Sequence, residues 1–346
     1  MTVTKPQRVN KPHELIGNTP LLRIPSLSDL SGCDIYIKCE QFNPGGSIKD
    51  RAALGMVEQA IASGELKPGM TIIEGTAGNT GIGLAVVGKS LGYKVKVVMP
   101  RGQTPEKEQM IALHGAELHL VDPVPFKNEN HFYHTARRLA EAEPDTYWWA
   151  NQFENLANYE AHYRTTGPEI LTQTEGRLDI LVAAAGTGGT LAGTSAYLKE
   201  HLPELEVVLA DPRGSGLKSY LETGAFVSEG SSITEGIGIM RKVANFGKAR
   251  VDRALSLPDQ DLVTVAYHVQ AHDGILLGSS SAHNVANALY CALEKGPGHS
   301  IVTFCCDLGE RSRSKLYDAE FLASKGLNPE ESLTQLQERW KLTSQK

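Results

Sequence analysis

The stretch LDILVAAAGTGGTLAGTSAYLKEHLPELEVVLADP, residues 178–212, has the pattern of one complete βαβ unit. An apolar run (178–185) precedes a glycine-rich turn, and a helix-length segment then leads into a second apolar run, EVVLADP. Two such strands joined by a helix run parallel, because the helix returns the chain to the edge of the sheet where the first strand began. The stretch therefore predicts a parallel sheet covered by helices.

The same alternation occurs twice more. TIIE (71–74) is followed by glycines, the segment GIGLAVVGKSLG and the run KVKVVMP (94–100), and the helical segment SSAHNVANALYCALEKG leads into HSIVTFCCD (299–307). The change of pattern around residues 150–160 suggests that the chain leaves one lobe there. We therefore predict an α/β fold of two lobes, each a mostly parallel twisted sheet with helices on both faces.

Composition excludes several classes of function. The chain has 346 residues, a net charge of -6 and only 6% aromatic residues, so it lacks the basic surface that nucleic-acid binding requires. No apolar run reaches the roughly 18 residues that a membrane-spanning helix needs. The opening MTVTKPQRVN lacks the apolar core of a secretory signal. We expect a cytoplasmic protein whose partners are small molecules, with neither nucleic acid nor membrane among them.

The glycine turn AAAGTGGTLAG (183–193) predicts an anion site. Backbone N–H groups of Gly186 to Gly189 and the hydroxyls of Thr187 and Thr190 would surround a phosphate at the start of a helix. Asp211, at the end of the next strand, is typical of a dinucleotide site, although Leu191 replaces the third glycine of that pattern. The pattern therefore leaves open a nicotinamide oxidoreductase and an enzyme with another phosphate-bearing cofactor.

Two other motif matches are weak. GLAVVGKS (83–90) satisfies the pattern of a nucleotide-binding phosphate loop, but its middle residues are apolar and a strand follows closely, so we interpret the match as accidental and Lys89 as an exposed residue. His131 and His134 share a predicted helical face, but no carboxylate completes a ligand set, and we predict no metal.

Two further stretches carry chemistry. EGTAGNTGIG (74–83) offers hydroxyls and one amide at a helix start, which suits a carboxylate and a polar ring substituent. NPGGSIKDR (43–51) places Lys49 in the first turn of a predicted helix, where SIKD resembles a capping box and the helix dipole favours the neutral amine. A lysine, a phosphate cradle, a carboxylate loop and the serines at 279–281 are together the parts of a pyridoxal phosphate site.

The chain resembles the cysteine synthase and cystathionine β-synthase group of fold type II pyridoxal phosphate enzymes. The resemblance extends from IGNTPLL (16–22) to SKGL (324–327). The motifs that carry it follow in order: IGNTPL, NPGGSIKDR, GTAGNTGIGLA, NQFENLAN with TTGPEI, AGTGGTLAG, EGIGI and GSSSAHN. It implies a larger cofactor-binding domain of residues 1–48 and 158–346, a smaller mobile substrate-binding domain of residues 49–157, and a homodimer.

The resemblance also implies residue roles. Lys49 would form the Schiff base and act as the catalytic residue, Asn79 would bind the 3-hydroxyl of the cofactor, and Ser280 would face the pyridine nitrogen. The residues implied around the cofactor phosphate are Gly186, Thr187, Gly188, Gly189 and Thr190. Those implied to contact the substrate are Thr76, Ala77, Gly78, Asn79, Thr80, Gln152 and Gly236.

The activity implied is β-replacement or β-elimination on an activated serine. A serine hydroxyl opposite the ring nitrogen need not keep that nitrogen protonated, which makes the ring a weaker electron sink and favours loss of a β-substituent. We favour cysteine synthesis from O-acetylserine, or a related O-acylated or phosphorylated serine, and sulfide or another thiol. The alternatives within the group are cystathionine β-synthase and cysteine desulfhydrase activities.

The sequence departs from the usual pattern of the group at five positions. Gly75 stands where proline is common, Ala77 where a substrate-binding serine is common, and Leu308 at a serine position. Ala282 and His283 replace a glycine and a small residue. The departures at Gly75, Ala77 and Leu308 leave the leaving group open, and they are also the best support for a catalytically silent paralogue.

Overall fold

The computed structural model describes residues 8–76, 78–102 and 105–343, with side chains described for 8–76, 78–102 and 108–341. In chain order the strands are β1 (Leu21–Arg23), β2 (Asp34–Cys39), β3 (Thr71–Gly75), β4 (Lys94–Pro100), β5 (Glu117–Val121), β6 (Tyr147–Trp149), β7 (Ile180–Ala183), β8 (Glu206–Ala210), β9 (Arg253–Leu255) and β10 (Ser300–Cys305).

The α-helices of the described residues are α1 (Pro25–Ser31), α2 (Lys49–Ser63), α3 (Asn79–Leu91), α4 (Pro105–Leu113), α5 (Phe132–Ala142), α6 (Ala157–Ala161), α7 (Gly167–Gln173), α8 (Gly189–His201), α9 (Leu217–Thr223), α10 (Asp259–Asp273), α11 (Ser279–Lys295), α12 (Ala319–Ser324) and α13 (Leu333–Thr343). A π-helical turn, His162–Thr166, joins α6 to α7. Within the described part of the chain, no helix is both long enough and apolar enough to cross a bilayer.

Internal contacts divide the chain into two compact units. Unit 1 contains residues 8–18 and 42–152, and unit 2 contains residues 19–41 and 153–343. These boundaries differ from the predicted ones, because residues 8–18 pack with unit 1. There Nδ1 of His13 lies 2.8 Å from Oγ of Ser90, and the N–H of Gly17 donates to Asn43 over 2.8 Å. The roles assigned to the two predicted domains remain predictions.

Unit 1 is built on a four-stranded sheet in the order β5-β4-β3-β6, with every neighbouring pair parallel. One face packs on α5, where Ile73 and Val98 meet Ala136 and Ala140. Side chains alternate along a strand, so the residue after Ile73, Glu74, points to the opposite face. That face lies against α3, which in turn packs on α2.

Unit 2 is built on a six-stranded sheet in the order β1-β2-β10-β7-β8-β9. Only the edge strand β1 is antiparallel to its neighbour among the described strands. The stretch 178–212 forms β7, α8 and β8, with Ile180 of β7 paired to Glu206 of β8 in parallel register. The predicted βαβ unit and the predicted α/β class, with parallel sheets covered by helices, are confirmed.

The core of unit 2 explains why α11 has so little polar surface. Most residues of this helix are buried, and its apolar side chains join α10 and the strands in one cluster that includes Ile180, Val182 and Ile301. A helix enclosed on nearly all sides has its first turn held in a fixed position relative to the sheet. The serines at 279–281 lie in that first turn.

Candidate functional site

Lys49 is the first residue of α2 and is half-buried. Its backbone N–H donates to Oγ of Ser47 over 3.3 Å, and the buried carboxylate of Asp50 accepts from the N–H of Gly45. The residue immediately before α2 is Ile48, which makes no side-chain cap hydrogen bond, so the helix begins one residue later than a capping box at Ser47 would place it. The outcome for Lys49 is the predicted one, since these contacts fix its backbone at the helix start.

The loop from β3 to α3 carries the residues predicted to contact the substrate. Thr76 is buried, and its Oγ1 accepts from the N–H of Gly78 over 3.3 Å. Asn79 is the first residue of α3 and is half-buried. Ala77, also predicted to contact the substrate, lies outside the described residues. The helix start leaves backbone N–H groups facing the loop, as an anion site requires.

Thr80 and Gln152 are distant in sequence and close in the structure. The hydroxyl of Thr80 lies 2.6 Å from Oε1 of Gln152, and Nε2 of Gln152 lies 3.1 Å from Oε1 of Glu74. All three side chains are buried in unit 1. Two of the predicted substrate residues are thus joined by one hydrogen-bonded chain that begins at a buried carboxyl group.

Glu74 is the one residue of this hydrogen-bonded chain that was not predicted from the sequence as a site residue. Burial raises the pKa of Glu74 to about 8, while hydrogen bonds from Gln152 and from the backbone of Asn151 oppose the shift. Its Oε2 is buried and makes no hydrogen bond to any described residue. The sequence feature that could have indicated Glu74 is its position, because it is the last residue but one of a buried strand that leads into a loop with predicted function.

The predicted phosphate loop runs from the end of β7 into α8. Gly188 has φ +86°, which favours glycine, and a Cβ on Gly189 would lie 2.1 Å from Oδ1 of Asn158. Nδ2 of Asn158 donates to Oγ1 of Thr187 over 3.0 Å, so the hydroxyl proton of Thr187 remains available to an anion. Among the described residues, no acceptor binds the backbone N–H groups of Gly186, Thr187 or Gly188.

These features suit the binding of a phosphate group. They combine free backbone donors, a free hydroxyl proton and the N-terminus of the 13-residue helix α8. Thr190 adds a second hydroxyl, 3.1 Å from Nε2 of the buried His162. His162 and Asn158 were not predicted as site residues, although both lie in or near motifs that the resemblance had marked.

Gly236 lies beside this loop within unit 2. Its carbonyl oxygen would be 2.3 Å from a Cβ on Gly186, and the N–H of Gly238 donates to the carbonyl of Ala185 over 2.8 Å. The segment EGIGI therefore packs directly on the phosphate loop. The predicted contact of Gly236 with the substrate stays a prediction.

Ser280 lies in the first turn of α11 and is buried. The turn is held on both sides, because the N–H of Ser279 donates to Oγ of Ser312 over 3.0 Å and Oγ of Ser281 donates to the carbonyl of Asp307 over 3.0 Å. The first turn of α11 is therefore rigid where a ring nitrogen would need a fixed partner.

The dinucleotide alternative is weakened by the position of Asp211. This carboxylate accepts from the backbone N–H of Lys218 over 2.8 Å, at the start of α9, and burial raises its pKa. A carboxyl group that serves the start of a short helix is poorly placed to bind a ribose. Residues 83–90 lie inside α3, which excludes a phosphate-loop conformation there. No group of three metal-binding side chains occurs among residues that the structure describes.

The comparisons with known proteins agree on one family. The family model described as pyridoxal-phosphate dependent enzyme matches residues 13–307. Cysteine synthase 2 of Schizosaccharomyces pombe is 45% identical over 343 residues, covering 93% of this chain and 87% of that protein.

Two solved structures are similar over most of the chain. O-acetylserine sulfhydrylase isoform 3 from Entamoeba histolytica gives a TM-score of 0.82 at 35% identity, covering 92% of this chain and 94% of that one. The O-acetylserine-dependent cystathionine β-synthase from Helicobacter pylori gives 0.80 at 31% identity, covering 89% and 98%.

Proposed function

The chain belongs to the family of pyridoxal-phosphate-dependent enzymes, and on that premise we propose that it synthesises cysteine from O-acetylserine and sulfide. The observation that carries the proposal is the loop Gly186–Thr190, whose free donors at the start of α8 suit the phosphate of the cofactor. Similarity to curated cysteine synthases over nearly the whole chain supports the choice of reaction.

Each cofactor-binding residue has its own proposed role. Pyridoxal phosphate, when bound, supplies an aldehyde that binds amines and a ring that withdraws electrons from the Cα of an amino acid. Nζ of Lys49 would hold the cofactor until the amine of the substrate displaces it; once free, it would take the proton from Cα and return it there after the new bond to Cβ has formed. Gly186 to Thr190 bind the phosphate, Ser280 binds the ring nitrogen and Asn79 the 3-hydroxyl.

The buried residues Thr76 and Thr80, together with Gly78, Asn79 and Gln152, bind the carboxylate of the amino acid. Their hydroxyl and backbone donors suit a carboxylate, which only accepts hydrogen bonds when ionised. Acetate then leaves Cβ with its bonding electrons, and hydrosulfide forms the new bond to Cβ. The burial of Thr76 and Thr80 limits the access of water to the bound carboxylate.

The test is spectroscopic and kinetic. Purified wild-type protein saturated with pyridoxal phosphate should absorb in the visible, and Lys49→Ala should lose that band and lower kcat by at least about 10²- to 10⁴-fold. Borohydride reduction followed by peptide mapping should find the cofactor on Lys49. Lys89→Ala, on the exposed end of α3, is the control and should keep both properties. An unmodified Lys49 in cofactor-saturated protein would overturn the assignment.

A thiol is a second candidate nucleophile. The Helicobacter pylori structure is that of an O-acetylserine-dependent cystathionine β-synthase, so the same amino acid donor is compatible with a larger acceptor in this fold. We expect sulfide to be preferred, and kcat/KM for sulfide and for homocysteine with the same donor decides the matter. A higher value for homocysteine would reassign the reaction.

We also propose that the protein is a cytoplasmic homodimer. Family resemblance supports the dimer, and the five free cysteines, which form no disulfide, fit the reducing cytoplasm. Light scattering should give twice the mass of one chain. Cell fractionation should find the protein in the cytosol, and recovery with mitochondria would reject the location.

A further inference from the structure

Three buried polar groups of unit 1 form a chain with two ends. At one end is the buried carboxyl group of Glu74 on β3, and at the other is the hydroxyl of Thr80, in the first turn of α3, which belongs to the loop proposed to bind the substrate carboxylate. Gln152 joins them, with 2.6 Å from its Oε1 to the hydroxyl of Thr80 and 3.1 Å from its Nε2 to Oε1 of Glu74.

The side-chain amide of Gln152, in the middle of this hydrogen-bonded chain, can have only two orientations. A side-chain amide has a donor end and an acceptor end, and a half-turn exchanges them with little movement of heavy atoms. If Nε2 of Gln152 faces Glu74, then Oε1 faces Thr80 and accepts a hydrogen bond from its hydroxyl group. If the amide is reversed, Nε2 donates to Thr80, whose proton is then free to bind something else.

The charge of Glu74 determines the orientation of the Gln152 amide. An ionised carboxylate only accepts hydrogen bonds, so it requires Nε2 of Gln152 and leaves Thr80 presenting lone pairs. A protonated carboxyl can donate to Oε1 of Gln152, which reverses the amide and turns the Thr80 hydroxyl into a donor. A substrate carboxylate is itself an acceptor, so only the second state attracts it.

We propose that Glu74 is a positioning residue that sets the orientation of the Gln152 amide and thereby decides whether Thr80 donates a hydrogen bond to the substrate carboxylate. The inference rests on the proposed function, because it assigns a substrate contact to Thr80. It adds a residue that does not itself touch the substrate, and it makes the protonated form of Glu74 the form that binds substrate.

The surroundings of Glu74 favour that form. Burial is the largest influence and raises the pKa to about 8, so the carboxyl group is mostly protonated at neutral pH. On the same face of the sheet, its neighbour on β4 is Val97, and the only charged side chain on α3 among the described residues is Lys89 in the last turn.

The charged groups on the other face of the sheet are engaged elsewhere. On β4 the ammonium of Lys96 binds the hydroxyl of Tyr147 on β6 and the carboxylate of Glu117 on β5. On α5 the hydroxyl of Tyr133 donates to Asn151, and Arg137 lies 3.7 Å from Glu141. None of these groups contributes to the shift of Glu74, whose causes are burial and hydrogen bonds.

The test compares pH profiles of wild type and Glu74→Gln. A glutamine keeps the shape and can donate to Oε1 of Gln152 at every pH. In wild type, kcat/KM for the amino acid substrate should fall about tenfold per pH unit above about pH 8, through KM and not kcat. In Glu74→Gln that fall should be absent, and since both proteins meet the same titrating substrate, the difference isolates Glu74.

A second variant keeps the test decisive if Glu74→Gln folds poorly. Thr80→Val removes the hydroxyl group whose hydrogen bond Gln152 would direct. The KM for the amino acid substrate should therefore be raised at neutral pH, and it should lose the part of its pH dependence that Glu74 supplies. Identical profiles in wild type, Glu74→Gln and Thr80→Val would overturn the inference. Failure of the proposed function has a different signature, namely no turnover and no visible absorbance in wild type.

Discussion

The carbonyl oxygen of Lys49 lies 3.0 Å from the point where a Cβ on Gly83 would stand. Gly83 is the residue of α3 that lets this helix pack against the first turn of α2. Gly83→Ala gains about 1 kcal/mol of helix propensity, whereas overpacking a close contact costs about 1–3 kcal/mol. Because the nearest atoms are backbone atoms of Lys49 and Asp50 that cannot rotate away, we expect net destabilisation of about 1 kcal/mol, together with a displaced Lys49.

Urea unfolding and the visible spectrum of the cofactor-saturated variant check both effects. Lys89→Ala on the exposed side of α3 is the control, and it should change neither by more than the error of measurement. A Gly83→Ala variant as stable and as coloured as wild type would show that α2 adjusts without cost.

Gly189→Ala should weaken cofactor binding. Its methyl group would stand 2.1 Å from Oδ1 of Asn158 and would force that side chain away from Thr187. We expect the dissociation constant for pyridoxal phosphate to rise by about tenfold or more, which corresponds to the loss of about one hydrogen bond to a charged group. The measurement is a titration of apoenzyme followed by absorbance.

The matching rescue is Gly189→Ala combined with Asn158→Ala, which restores the space but not the hydrogen bond. The double variant should bind more tightly than Gly189→Ala alone. If both single variants and the double variant bind equally well, the loop does not hold the phosphate.

The fully buried ammonium of Lys38 lies 2.6 Å from the carboxylate of Glu169, whose side chain is 15% exposed. Glu169→Ala removes a counter-ion from this buried charge, and we expect a loss of about 3–5 kcal/mol in the free energy of unfolding. Lys38→Met combined with Glu169→Leu removes both charges and should recover most of that loss. Breaking the exposed pair of Arg177 and Glu175 by Arg177→Ala should cost at most about 1 kcal/mol.

Denaturant titrations at pH 7 measure all of these variants. The comparison would reject the argument if Glu169→Ala were no more destabilising than Arg177→Ala. It would also reject it if the double variant were as unstable as Glu169→Ala alone.

His283 should make the protein sensitive to acid. Burial lowers its pKa to about 4, from an ordinary value near 6.5, and Nδ2 of Asn287 lies 3.4 Å from its Nε2 as expected beside a neutral ring. A depressed folded-state pKa gives stability that is present above pH 6.5 and is lost as the pH falls towards 4. The unfolding free energy should fall by about 1.4 kcal/mol per pH unit across that window.

His283→Asn cannot titrate and should lack this slope. Unfolding of wild type and variant at pH 7 and at pH 5 gives the comparison, in which the difference between the two proteins must change with pH. A constant difference would show that another group carries the acid sensitivity.

Much of the fold followed from local patterns. The apolar runs of β3, β4, β7, β8 and β10, separated by helix-length segments, predicted parallel sheets, because buried parallel strands require nearly continuous apolar sequence. The glycine turns and the order of motifs likewise predicted the family, and the comparisons confirmed it. The unit boundaries were less predictable, because residues 8–18 pack through His13 and Gly17 onto residues far along the chain.

The sequence by itself determined which residue types are available: one lysine at a helix start, a loop rich in donors, and a serine in the first turn of an enclosed helix. Tertiary structure alone decided that Gln152 meets both Thr80 and Glu74 and that Asn158 supports Thr187. Spacing along the chain reports periodicity, whereas hydrogen bonds between residues 29 to 78 positions apart depend on how strands and helices pack. The charge state of Glu74 also depends on tertiary structure, because its carboxyl group is buried only in the folded protein.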